Sequence, residues 1–223
     1  MNLINFLFPK ECLGCKREGV YLCQSCIRKS RFARQSCIEC GKPSIDGLTH
    51  TVCKKHLSLD GIVSVWVYEK VIREAIITLK YRFAYEIAKD LSIFVSKYLE
   101  RNIHALPKKA VLTPLPLHKF RQNWRGFNQS ACIARFIAEH MNWEYQENVV
   151  VRKKGSRPQT NLKRGERKKN VFRIFFLNPD HFRLKTDYII FDDVITTGAT
   201  LKEVGKVIKK GGAKAVWGLT IAR

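Results

Sequence analysis

Seven of the eight cysteines lie before residue 54, and they fall in pairs: Cys12-x2-Cys15, Cys23-x2-Cys26, Cys37-x2-Cys40, then Cys53 with His56 at the same gap. A two-residue gap lets two side chains of one tight turn point at a common centre, which is how a tetrahedral Zn2+ ion is gripped. The competing chemistry is a disulfide framework. Against it, the run Met1-Asn-Leu-Ile-Asn-Phe-Leu-Phe-Pro9 has no basic leader and no small-residue cleavage site. It reads as a packing segment rather than an export signal, so a reducing, cytoplasmic setting is expected. Sequential pairing gives one site from Cys12, Cys15, Cys23 and Cys26. It gives a second from Cys37, Cys40, Cys53 and His56, with His50 as the alternative fourth ligand; interleaved pairing stays open. The zinc is read as structural, because a module this short has too little core to fold unaided. Cys132 stands in a helical pattern with Ile133, Phe136 and Ile137, and reads as a small core residue.

The remaining length suits one medium α/β domain, so the expected division is a zinc-ribbon module over 1–58 and a second domain over 59–223. Hydrophobic residues make up 45% of the chain, which excludes wholesale disorder. No apolar run approaches the roughly 18 residues that span a bilayer, so an integral membrane protein is not expected. Lys and Arg number 41 against 19 Asp and Glu, a formal net charge of +22. Such an excess favours polyanionic partners, either nucleic acid or phosphorylated small molecules. It is concentrated in 152–173, where ten cations stand with the single acid Glu166. A flexible basic loop is expected over about 152–172.

The sharpest chemical signal is Tyr188-Ile-Ile-Phe-Asp192-Asp193-Val-Ile-Thr196-Thr197-Gly198-Ala199-Thr200-Leu201. Residues 188–191 form a continuous apolar run, as in a strand buried on both faces. Leu201, Val204, Val207 and Ile208 then mark a helix face that ends at Gly211-Gly212. Strand, Thr/Gly loop and helix N-terminus together bind phosphate, because backbone N–H groups converge there and the helix dipole favours an anion. Paired carboxylates at the strand end suit the hydroxyls of a sugar diol. Blander readings exist for the parts: Thr200 with Glu203 fits a capping box, and two acids at a strand end suit local backbone hydrogen bonds. Neither accounts for the whole string, and no Walker or G-x-G-x-x-G motif occurs.

Asp192 through Thr200 resembles the signature of type I phosphoribosyltransferases, which bind 5-phosphoribosyl-1-pyrophosphate (PRPP) with Mg2+. The resemblance implies that Asp192 and Asp193 meet the ribose hydroxyls and the Mg2+. It also implies that Val194, Ile195, Thr196, Thr197, Gly198, Ala199 and Thr200 hold the 5′-phosphate. Further along the chain, Val111-Leu-Thr-Pro114-Leu-Pro116-Leu-His118 and Arg125-Gly-Phe-Asn-Gln129 resemble the pyrophosphate loop and a motif of ComF-family competence proteins. So do Tyr68, Lys80-Tyr81-Arg82, the segment from Val151-Arg152 to Phe172, and the cysteine-rich N-terminus. Lys80, Pro116, Leu117 and His118 then become pyrophosphate contacts. The departure from the family pattern is the last knuckle, where Cys53-x2-His56 replaces a cysteine pair.

The resemblance implies an α/β fold of type I phosphoribosyltransferase kind, a mainly parallel sheet with helices on both faces. A strand over 61–68 and helices near 70–80, 84–100 and 129–141 fit it. The implied role is handling of single-stranded DNA in natural transformation, alongside other DNA-uptake proteins. Arg152, Lys153, Lys154, Arg157, Lys163, Arg164 and Arg167 are the candidate phosphate contacts to DNA. Trp124 and Phe172 are candidates for base stacking, and Phe175 and Phe176 read as core strand residues. Two other functions fit parts of the pattern. One is a metabolic phosphoribosyltransferase acting on a nitrogen nucleophile, for which no nucleobase pocket is recognisable. The other is a binding module with a vestigial transferase fold, against which both aspartates stand intact.

Overall fold

The apolar run 188–191 is buried on both faces and lies at the heart of a parallel sheet. The computed structural model describes residues 10–79, 84–116, 128–152 and 174–223. Its main sheet has five strands: β1 (Gly61–Trp66), β2 (Val111–Pro114), β3 (Glu144–Tyr145), β6 (Asp187–Val194) and β7 (Ala215–Ala222). Their order is β1-β7-β6-β2-β3, and every neighbouring pair is parallel. Two short strands, β4 (Val150–Arg152) and β5 (Phe175–Leu177), pair antiparallel as a separate ladder.

Period-two alternation divides each central strand between two cores. Ile189 and Phe191 face one side with Val63, Leu112 and Leu219, where helices α2 (Lys70–Thr78), α3 (Ala84–Asn102) and α4 (Gln129–Met141) bring Ile72, Ile76, Leu91, Ile133 and Ile137. Tyr188 and Ile190 face the other side with Ile62, Val111 and Val216. There helix α5 (Ala199–Lys210) and the β4–β5 ladder supply Leu201, Val204, Ile208, Val150 and Phe175. Burying a side chain of this size contributes on the order of 1.5–3 kcal/mol, shared here between strand and helix residues of both cores. Phe175 is core as expected, but Phe176 points outward and is 44% exposed, because a ladder covering one face of the sheet can bury only one of two successive residues. Cys132 is half-buried against the α2–α4 core, and burial pushes its thiol pKa up.

The connections give the domain its polarity. From β2 the chain passes through α4 to β3 on one side, and from β6 it passes through α5 to β7 on the other. The direction of winding therefore reverses between β2 and β6, which opens a crevice at their carboxyl ends.

The N-terminal module, with the short helix α1 (Gln24–Arg28), lies along the outer edge of β1. Ala33 donates to the Val65 carbonyl at 2.9 Å and Val67 donates to Arg31 at 2.9 Å, so residues 31–33 run antiparallel to the strand. The Asp46 carboxylate accepts from the backbone of His104 and Ala105 at 2.8 and 3.0 Å. Among the described residues, no helix is long and apolar enough to cross a membrane.

Candidate functional site

Two clusters of metal-binding groups form within the first 53 residues. The ligand atoms of Cys12, Cys15, Cys23 and Cys26 lie within 4.8 Å of one another, as do those of Cys37, Cys40, His50 and Cys53. Pairing is thus sequential. In the first cluster the backbone N–H groups of Cys23 and Cys26 donate to the sulfurs of Cys12 and Cys23, each at 3.4 Å. Burial alone would raise the Cys12 thiol, but backbone donors from Cys23, Cys15 and Gly14 outweigh it and bring the pKa to about 6. Cys26, desolvated and crowded by the other three sulfurs, is pushed up to about 12. The second cluster repeats the split. Cys37 is lowered to about 7 by backbone donors that overcome its burial, and Cys53 is raised to about 11 by desolvation and by Cys40 and Cys37. Four sulfurs cannot all carry charge at this range without a cation, so the donor sets fit a tetrahedral dication.

The structure brings His50, and not His56, into the second cluster. His50 Nδ1 is 3.4 Å from Cys40 Sγ, and its Nε2 sits 3.1 Å from the Pro43 carbonyl. With Nε2–H donating to that carbonyl, Nδ1 presents its lone pair to the sulfurs, the usual way an outer partner orients a metal-binding imidazole. A single 3-10 turn, Thr51–Cys53, brings His50 and Cys53 together, with Cys53 N–H on the His50 carbonyl at 2.9 Å. The knuckle therefore reads His50-x2-Cys53. His56 lies beyond it and is exposed.

The strand–loop–helix unit forms at the crevice. Asp192 and Asp193 are half-buried at the end of β6, and each spends an oxygen on the next backbone N–H, at 2.9 and 2.8 Å. This is the local bonding that short acidic residues favour, and it fixes the carboxylates at the strand end. Val194 and Ile195 pack inward, while Thr196 and Thr197 are exposed. Gly198 is the N-cap of α5 at φ +70 and makes no side-chain cap, so Thr200 stands inside the first turn rather than capping it. Ala199 N–H donates to the Thr197 hydroxyl at 3.4 Å, and Gly198 puts no side chain over the N–H groups that follow, an arrangement suited to an anion. Leu115 N–H binds the Phe191 carbonyl at 2.8 Å, which holds the segment leading to half-buried Pro116 beside the two aspartates.

Arg152 ends β4, with its guanidinium 5.7 Å from the centre of the Phe175 ring. Lys80, Leu117, His118, Lys153, Lys154, Arg157, Lys163, Arg164 and Arg167 lie outside the described residues, as do Trp124, Phe172 and the segment 1–9. One aromatic feature went unread in the sequence. Phe32 is 56% exposed, yet it is fixed by the edge pairing and packs against Tyr98 at 4.8 Å and Trp66 at 6.4 Å. Exposed Arg28, Lys29, Arg31 and Arg34 flank it. The signal was the string Arg28-Lys-Ser-Arg-Phe-Ala-Arg34, an aromatic among cations. A basic cleft of about 490 Å3, lined by Lys108, Lys109, Asn142 and Arg183, opens at the opposite, amino edge of the sheet and has no part in the aspartate site.

Residues 3–56 match the double zinc ribbon domain family. DNA utilization protein YhgH of Escherichia coli K12 is 30% identical over 208 residues, covering 87% of this chain and 87% of its own. Competence protein F of Haemophilus influenzae is 26% identical over 219 residues, covering 95% and 90%. Among solved structures, the allosteric regulatory enzyme of purine biosynthesis aligns at 14% identity with a TM-score of 0.42, over 65% of this chain and 30% of its own. Fold and sites together define a zinc-ribbon protein built on a parallel α/β domain with an acidic, loop-bearing crevice at its switch point. The chain belongs to the ComF family of competence and DNA-utilization proteins.

Proposed function

We propose that the switch-point crevice binds PRPP together with Mg2+, and that the protein handles single-stranded DNA during DNA uptake. One observation carries the first half. Asp192 and Asp193 close β6 at the point where winding reverses, and their loop runs directly into the N-terminus of α5, whose N-cap is the side-chain-free Gly198. In this reading the two carboxylates accept from the ribose hydroxyls, and the backbone of 194–198 and the first turn of α5 donate to the 5′-phosphate. Mg2+ takes carboxylate and phosphate oxygens and keeps several waters, so the aspartates and the pyrophosphate would hold it between them. Pro116 and the residues after it flank the pyrophosphate side.

The names of the relatives and the net charge of +22 support the second half. A basic surface gains affinity for nucleic acid by releasing counterions, and an exposed aromatic adds a stacking platform for an unpaired base. The ten cations of 152–173 add to the charge, and Phe32 with Arg28, Lys29 and Arg34 supplies both, Arg31 being paired with Glu69.

The test is calorimetric titration of zinc-replete protein with PRPP and Mg2+, with and without single-stranded DNA. Binding is expected, and an Asp192→Asn/Asp193→Asn double variant is expected to lose it while keeping its circular dichroism spectrum. Absence of binding by the wild type overturns the PRPP assignment. Undiminished binding by the double variant moves the site elsewhere.

A further inference from the structure

The turn between Cys37 and Cys40 spans two residues: Ile38 reaches the loop assigned above to the phosphate, and Glu39 reaches the helix that follows it. Ile38 Cδ1 is 3.3 Å from the position a Cβ on Gly198 would take, and Ile38 packs into the same cluster as Ile195. Glu39 Oε2 is 3.0 Å from Lys202 Nζ in the first turn of α5, with each side chain only 25% exposed. The same ribbon is tied to the sheet on its other side, where Ser36 accepts from Arg223 at the end of β7 and Asp46 binds the backbone after α3. The first cluster has a different neighbourhood. Gly14 lies against Val71 of α2, and Lys10 pairs with Glu86 of α3 at 2.6 Å. One metal cluster therefore stands on the helical face, and the other stands at the crevice.

We propose that the second metal centre is a positioning element for the sugar-phosphate loop. A Cys-x2-Cys turn has a fixed shape only while one centre holds both sulfurs. Held that way, the turn presses Ile38 onto Gly198 and, through Glu39, ties the first turn of α5 to the ribbon. Ile38, Glu39 and Lys202 are positioning residues: they shape the loop and touch no phosphate. The ligand rests on the PRPP reading, but the effect on the loop does not.

If release of the turn leaves the loop in its binding shape a tenth of the time, the apparent Kd rises about tenfold. Four full-length variants test this: Ile38→Ala, Glu39→Gln, Cys40→Ser, and Val52→Ala as a control at an outward-facing residue of the other knuckle, 93% exposed. Zinc content is measured for each, amide hydrogen exchange is read at 195–199, and PRPP with Mg2+ is titrated. Ile38→Ala and Glu39→Gln are expected to keep both zinc ions, to speed exchange at 195–199 and to weaken PRPP binding. Cys40→Ser should lose one zinc ion and show the largest effect, of about tenfold or more, and Val52→Ala should match wild type. Unchanged exchange at 195–199 in Ile38→Ala and Cys40→Ser overturns the inference. Faster exchange in a protein whose wild type binds no PRPP supports the positioning and overturns the ligand assignment instead.

Discussion

Gly198→Ala tests the loop most directly, because the cost of the change can be worked out in advance. Gly198 sits at φ +70, where an L side chain costs about 1–2 kcal/mol. A Cβ there would also stand 3.1 Å from Ile195 Cδ1 and 3.3 Å from Ile38 Cδ1, so both must yield by a few tenths of an ångström. The strain has two outlets. If the loop keeps its shape, the full cost appears as lost stability in urea unfolding. If it relaxes, the ligand must restore the shape on binding, and PRPP affinity falls by about 5- to 30-fold, since 1.4 kcal/mol is a factor of ten. The two losses together should come to about 1–2 kcal/mol. Gly19→Ala is the control: Gly19 has φ +96 with open space around it in the first ribbon, so stability should fall and affinity should not. A Gly198→Ala protein that matches wild type in both its urea midpoint and its Kd would refute the argument.

The metal ligand is tested by stoichiometry: His50→Ala should lower zinc from two ions per chain to one, whereas His56→Ala should keep both. Asp60 precedes β1 and is half-buried, and desolvation alone would raise its pKa. Hydrogen bonds from Lys209 and Lys54, with the Val216 N–H, overcome burial and hold it below the ordinary value of 3.8. A carboxylate held below its unfolded pKa contributes stability that is complete above about pH 4 and is lost as pH falls through the folded value. Asp60→Asn should abolish that acid-side slope. It should also cost about 3 kcal/mol in urea unfolding, because the Lys209 ammonium, 2.6 Å from the carboxylate and 12% exposed, is left with the Lys214 carbonyl and no counter-charge there. Phe32→Ala should weaken single-stranded DNA binding by about 1–3 kcal/mol in a fluorescence titration and leave PRPP binding unchanged.

The parts of this molecule legible in its sequence are those whose causes are local. The run 188–191 is apolar throughout because helices cover both faces of β6, and that pattern survives in one dimension. Gly198 stands where φ must be positive, so the loop announced itself as well. The cysteine knuckles were readable for the same reason, since a two-residue gap is itself the geometry. His50 was harder. The sequence around Cys53 satisfies the gap in both directions, and only the 3-10 turn and the Pro43 carbonyl set His50 among the sulfurs. Phe176 looked like core because Phe175 is, and alternation within so short a strand leaves little signal. The meeting of Ile38 with Gly198, and the salt link from Glu39 to Lys202, join positions about 160 residues apart. No periodicity or spacing records such a contact.

The place of β7 in the sheet has a consequence for how the chain is made. Among the described residues, β1 meets no strand of the main sheet but β7, so Gly61–Trp66 waits for the much later Trp217–Ala222. The ribbon segment clamps one side of β1 early, since its partners at 31–33 are already synthesised. The other side, between Ile62 and Trp66, has no strand to meet until residues 217–222 arrive. Non-local pairing of this kind slows folding and leaves an apolar edge open meanwhile. A nascent chain that has not yet gained Ala215–Ala222 therefore has closed zinc knuckles and a sheet missing an interior strand. Such a nascent chain should recruit chaperones even though its N-terminal module is native.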